Sequence, residues 1–280
     1  MENSRDQGRR ELAAFLRARR GEIAPRQVGL PGGSRKVTGL RREEVAHRAG
    51  ISVDYYTRLE QGRLPAPSGG VLDALAHALL LNLDQRDYLR SLADRAPARR
   101  RRPRQQSVPE PVLEFLRDLS ATPAFVLGRF LDVLAWNDLT TELFTDFGAL
   151  AEPERNYLRM VFLDPLMRER LPDWDYGARQ CVSVLRMDAA RYPSDPRLAA
   201  LVAELTAKAP EFHHWWATHW VAAKTFGVKS VHHPKTGTLH LHWQILTVAQ
   251  DPDQCLVVLP PADEESRANL ALLSRRRRRH

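Results

Sequence analysis

Residues 42–63, REEVAHRAGISVDYYTRLEQGR, constrain this fold more than any other stretch. Their apolar and small residues run at helical spacing, break once at AGIS, and resume. Two helices that meet steeply through a tight turn need a small residue at the crossing and a turn residue tolerant of positive φ. Ala46 and Gly50, four apart, meet both needs. Val45, Ala49, Ile51, Tyr56 and Leu59 are spaced to fill a shared core, and Ser52 is the predicted N-cap of the second helix. Val53, Asp54, Tyr55, Thr57, Arg58 and Gln61 are left off the core or at the N-terminal end. In a helix-turn-helix unit that end reaches base edges. An ordinary helical hairpin in a bundle fits the same spacing, so charge has to arbitrate.

The first 107 of the 280 residues hold 22 Lys+Arg against 12 Asp+Glu, a net +10. Residues 108–274 hold 15 against 22, a net −7, and a run of five arginines follows. This asymmetry predicts that only the first part meets a polyanion. Phosphate attraction dominates nucleic-acid affinity, and Arg41 and Arg42 open the helix that would cross the DNA backbone. The length suits two domains. No apolar run approaches the ~18 residues of a membrane helix, and the charged N-terminus lacks a signal-peptide core. Two cysteines, Cys181 and Cys255, suit a reducing cytoplasm better than a disulfide scaffold.

Composition divides the chain into residues 1–95, 96–111, 112–274 and 275–280. Residues 1–95 read as short helices. RELAAFLRARR places Leu12, Phe15, Leu16 and Arg19 together, and SGGVLDALAHALLL groups Leu72, Leu75, Ala76 and Leu79 behind a Ser68 N-cap. LDQRDYLRSLADRA follows, started by Asp84. Residues 21–40, with five glycines and two prolines, read as a loop. Its Arg35 and Lys36 are either solvated or a basic arm for phosphate or the minor groove. Residues 96–111, with four prolines and five arginines, form a hinge, or one whose Arg99 to Arg102 add phosphate contact. Residues 112–274 combine a hairpin around Gly128, several helices and late strands flanking Pro-Lys-Thr-Gly. The expected architecture is an all-α helix-turn-helix bundle, then an α+β domain, then a basic tail.

With these residues in place, LRREEVAHRAGISVDYYTRLEQGR resembles the lambda-repressor-like (xenobiotic-response-element) helix-turn-helix regulators. VGLPGGSRKVTGLRREEVA sharpens the likeness to the actinobacterial subgroup with an MmyB-like C-terminal domain. AFVLGRFLDVLAWN, ERNYLRMVFLDP, DPRLAALVAEL, PEFHHWWATHWV and HHPKTGTLHLHWQIL extend it over nearly the whole chain. The resemblance implies a sequence-specific transcription regulator that binds a double-stranded DNA operator as a homodimer on an inverted repeat. It also implies a PAS-like second domain holding a small apolar molecule, fatty-acid-like and non-covalent; no other cofactor is expected. Carried over, Ser52, Val53, Asp54, Thr57 and Arg58 match base-facing positions. His242 departs from the resemblance, standing where the late strand typically has an acid.

Seven of the ten histidines fall between residues 213 and 242, which raises a metal sensor. His213 and His214 point about 100° apart on a helix, and no Cys or carboxylate stands at zinc spacing, so no metal site is expected. There is no nucleophile elbow, phosphate loop or dinucleotide fingerprint, so no catalytic residues and no enzyme are expected. All six tryptophans lie in the second domain. Phe125, Trp136, Phe144, Phe162, Trp215, Trp216, Phe226 and Trp243 are candidates to line an apolar pocket, or simply core. Arg155 and Arg159, one turn apart, are candidate carboxylate partners. The function expected is a DNA-binding regulator modulated by a small apolar ligand. The alternative is an antitoxin-like interaction module whose helix-turn-helix serves autoregulation.

Overall fold

The computed structural model describes residues 2–31, 39–93, 105–217 and 227–277. Arg35, Lys36, Arg99 to Arg102 and Phe226 therefore lie outside the described residues. The chain forms two compact units. The first gathers Met1–Arg102, Arg186–Leu201 and His213–Lys224; the second gathers Pro103–Leu185, Val202–Phe212 and Thr225–His280.

In the first unit α1 (Glu2–Glu22), α2 (Arg42–Arg48), α3 (Val53–Glu60), α4 (Gly69–Ala78) and α5 (Leu83–Ala93) enclose one core. The amphipathic spacing delivers Leu12, Phe15 and Leu16 of α1 and Leu72, Leu75 and Ala76 of α4 to that core. Phe15 meets Tyr88 edge-on at 5.1 Å. Three local details differ from expectation. The loop expected at residues 21–40 begins later, because α1 runs through Gly21 to Glu22 and Pro25–Val28 makes a 3-10 turn. Ser68 occupies the N-cap of α4, but its hydroxyl makes no capping bond. α5 is started by Asn82 and not Asp84. Asn82 Oδ1 accepts from the Gln85 N–H at 3.0 Å, and Gln85 Oε1 accepts from the Asn82 N–H at 3.2 Å. This reciprocal cap closes both ends of one turn, which a lone Asp further along cannot do.

In the second unit β1 (Ala124–Leu127) and β2 (Val133–Trp136) form the expected hairpin. β3 (Gly227–His233) and β4 (Gly237–Thr247) form another, and β5 (Cys255–Val258) pairs with both β1 and β4. The sheet is antiparallel, in the order β2-β1-β5-β4-β3. Alternation along the strands gives it two faces. Ala124, Val126 and Leu256 face Leu116 of α6 (Glu110–Asp118), while Phe125, Val257 and Trp243 share the other face. The chain also forms α7 (Asp138–Leu143), α8 (Tyr157–Leu163), α9 (Pro165–Arg170), α10 (Trp174–Arg191), α11 (Pro196–Lys208), α12 (Pro210–Ala217) and α13 (Glu264–Arg277). Composition hid α6 behind its prolines, although Pro111 sits in the first turn, where no N–H is needed. The two-layer α+β arrangement is the one the strand and helix signals implied. The last turns of α10 count in the first unit, where Ala190 is buried in the helical core and Met187 packs on it.

Candidate functional site

α2 and α3 are held by their ends. The Glu44 carboxylate accepts from the Arg41 N–H at 2.7 Å, and Glu43 and Glu44 place negative charge at the positive end of α2. At the turn Gly50 takes φ 64°. The Gly50 N–H donates to the His47 carbonyl at 3.2 Å and the Ile51 N–H to the Ala46 carbonyl at 3.0 Å, a Schellman closure. Ser52 then caps α3, its Oγ accepting from the Tyr55 N–H at 3.1 Å. Its hydroxyl is thus committed to the helix, as the N-cap expectation required. Gly62, at φ 70°, ends α3 in the same way: its N–H donates to Leu59 at 3.0 Å and that of Arg63 to Arg58 at 2.9 Å. Eight residues are too few for an independent helix, so these caps and the core contacts hold α3 in place.

The inner face of α3 buries Tyr56, Leu59 and Glu60. Its outer face presents Val53, 48% exposed, with Asp54 and Arg58. Thr57 and Tyr55 are half-buried, Tyr55 packing on the core, and Gln61 is exposed at the C-cap. Asp54 and Arg58 are 3.9 Å apart with side chains 80% and 52% exposed. Such an exposed i,i+4 pair is weak, so Arg58 is readily released to another anion. Arg41 is exposed and 3.4 Å from Glu43.

Glu60, fully buried, was not singled out from sequence, although it follows Tyr56 by four and so falls on the core face. Arg20 grips it in a bidentate pair, Nε to Oε2 and Nη2 to Oε1, both at 2.8 Å. Arg20 also donates to the Leu40 carbonyl at 2.7 Å. Arg42 adds 3.1 Å and 3.2 Å bonds to Oε1, and Arg17 donates to the Glu60 carbonyl at 3.2 Å. One carboxylate therefore ties α1, α2 and α3 together. Burial alone would raise the Glu60 pKa; the Arg20 hydrogen bonds and charge, then Arg42, outweigh it and hold the acid below its usual range. Arg42 is accordingly an internal partner with a half-exposed guanidinium, and not simply a surface cation.

The candidate ligand residues separate into groups. Phe125, Phe144 and Trp243 each meet Tyr157, which sequence reasoning did not single out, and Phe125 also meets the other two. Ring centroids lie 5.7 Å apart for Phe125 and Tyr157, 6.0 Å for Tyr157 and Trp243, and 6.1 Å for Phe125 with each of Phe144 and Trp243. Phe162 packs instead against Trp174 and Phe212, both at 5.5 Å. Trp136 pairs with Phe147 at 5.5 Å and lies under the Arg155 guanidinium at 5.6 Å. Arg155 donates to the Leu150 carbonyl at 3.0 Å, while Arg159 is ion-paired with Glu204 and, at 3.7 Å, with Glu154. Trp215 and Trp216 fall in the first unit. A cleft of about 600 Å³ opens between α6, α7, β2 and the end of α13. Leu113, Leu116, Leu134 and Leu139 line it with Asp138 and Glu142, and of the candidate ligand residues it contains Trp136 alone.

His240 and His242 share one face of β4, where His240 Nδ1 is 3.1 Å from Ser230 Oγ. Among the described residues no three His, Cys, Asp or Glu side chains converge as a metal site. Cys181 and Cys255 are free thiols, and burial pushes Cys181 up to about 11, against a smaller lowering by the Lys229 charge. No described helix is long and apolar enough to cross a membrane.

Comparison with protein families agrees with this layout. The family described as MmyB-like transcription regulator ligand binding domain matches residues 108–273, more than half of the chain. A helix-turn-helix domain family matches residues 11–89. No curated protein matches the chain.

Proposed function

The chain belongs to the MmyB-like transcription regulators, and on that premise we propose that α3 reads operator bases while the second unit binds a fatty-acid-like molecule that biases DNA binding. Both matching families are regulatory, one DNA-binding and one ligand-binding, and neither is enzymatic. The observation that carries the α3 assignment is its outward N-terminal face. Val53, Asp54 and Arg58 project from a helix whose other side is locked in the core. Thr57 lies between them, and the unit around them is strongly cationic. Arg58 reads a base edge, and Arg41 and the half-exposed Arg42 meet phosphates. A homodimer sets the spacing of two half-sites. Ligand and operator then affect each other's affinity by the same factor.

Gel-shift titration of Arg58→Ala on operator and on random duplex tests the assignment. The expected loss on operator is about 1–3 kcal/mol, with a smaller loss on random DNA. Equal losses on both would remove Arg58 from base reading.

A further inference from the structure

Lys229, like Arg155 over Trp136, stands apart from the ion-paired cations of the second unit. Arg168 is paired with Glu211 at 2.7 Å, Arg179 with Asp175 at 2.8 Å, Lys208 with Glu204 at 2.8 Å, and Arg117 with Glu110 at 3.0 Å. Arg159 is held by Glu204 and Glu154. Lys229 has no ion pair or hydrogen bond to a carboxylate among the described residues, yet its side chain is half-buried. It stands on β3 opposite Leu241 of β4, and alternation places it on the sheet face that carries Trp243. Its Nζ lies 4.2 Å from the centroid of the Trp243 ring. Trp243 is itself one wall of the Phe125–Phe144–Tyr157–Trp243 group. The charge is thus set on a π face at the margin of this aromatic cluster. Burial depresses the ammonium pKa, with a smaller opposing influence from the Cys181 thiol. A partly desolvated cation without an anion is costly unless something completes the site.

We propose that Lys229 is the head-group anchor of the second unit and selects amphiphiles with a monoanionic head, a carboxylate on an apolar chain. The carboxylate accepts a charge-assisted hydrogen bond from Nζ while the chain lies against the aromatic cluster. This rests on the reading of the second unit as a site for apolar small molecules. It also sets the cleft between α6, α7 and α13 aside as the place for an acid. Asp138 and Glu142 line that cleft, and Arg117, its cation, is already paired with Glu110.

Calorimetric titration of the full chain with decanoate and with decan-1-ol separates head from tail. Wild-type protein is expected to bind decanoate about ten-fold or more tighter than decan-1-ol, as a charge-assisted bond allows. Lys229→Met removes that preference, its loss of decanoate affinity exceeding any loss of decan-1-ol affinity; Lys229→Arg keeps it. A methionine variant that still prefers decanoate overturns the anchor, as does a wild type that binds both probes equally. In either case binding of decan-1-ol leaves the apolar-ligand reading standing. Binding of neither probe by the wild type overturns both. Should Lys229→Met fail to melt cooperatively, Lys229→Gln replaces it, and a retained decanoate preference there counts against the anchor.

Discussion

Glu60 shows how one side chain can set the geometry of a reading head. It contacts no candidate base-reading residue, yet through Arg20 and Arg42 it joins the three helices that position α3. Removing one partner from a buried ion pair leaves the other charged and unpaired, so Glu60→Gln is expected to cost about 3 kcal/mol at neutral pH. The folded-state pKa of Glu60 is depressed. Its contribution is therefore present above the unfolded carboxylate value near ~4.3 and lost as pH falls through the lower folded value. Urea unfolding followed by helical circular dichroism across that range is expected to show a steep acid loss in the wild type and a shallower one in Glu60→Gln. Superimposable pH profiles would show that Glu60 is not the group responsible. The sequence marked the helix but not this function of its last residue. Periodicity assigns position 60 to the core, and only the fold brings Arg20 and Arg42 to it.

At the scale of elements, turn chemistry was the most legible signal. Ala46, Gly50 and Ser52 follow from spacing alone, and each occupies the expected place in the turn between α2 and α3. The same reasoning gives a contrast of sign. Gly50 sits at φ 64°, where a Cβ is strained, so Gly50→Ala is expected to destabilise the first unit by about 1 kcal/mol. Gly177 lies in α10, where an added methyl group would meet no atom within 4 Å, so Gly177→Ala is expected to stabilise the second unit by about 0.5–1 kcal/mol. Denaturant midpoints that move in the same direction for both would contradict the helix and turn assignments. α6 and α13 were illegible for a physical reason. Prolines and charges that read as linker and tail are compatible with a helix whose one apolar stripe is covered by a sheet or a neighbouring helix.

For the molecule as a whole, the charge split between residues 1–107 and the rest is the feature that salt tests most directly. DNA affinity is expected to fall steeply with salt, and replacing Arg99 to Arg102 by glutamine to lower the slope of log K against log salt by up to about four. An unchanged slope would confine the electrostatic footprint to the helical unit. The sequence by itself determined the helix-turn-helix, its polyanion preference and the α+β character of the second unit. These follow from local periodicity, turn residues and summed charge, which need no knowledge of what lies across the core. The tertiary structure decided which side chains converge. It gathered Phe125, Phe144 and Trp243 around Tyr157, sent Phe162 to Trp174, and put Trp215 and Trp216 in the other unit. It occupied Arg159 with glutamates and left Lys229 beside Trp243. Composition counts aromatics and charges, but pairing depends on strand register and helix packing between residues far apart in the chain.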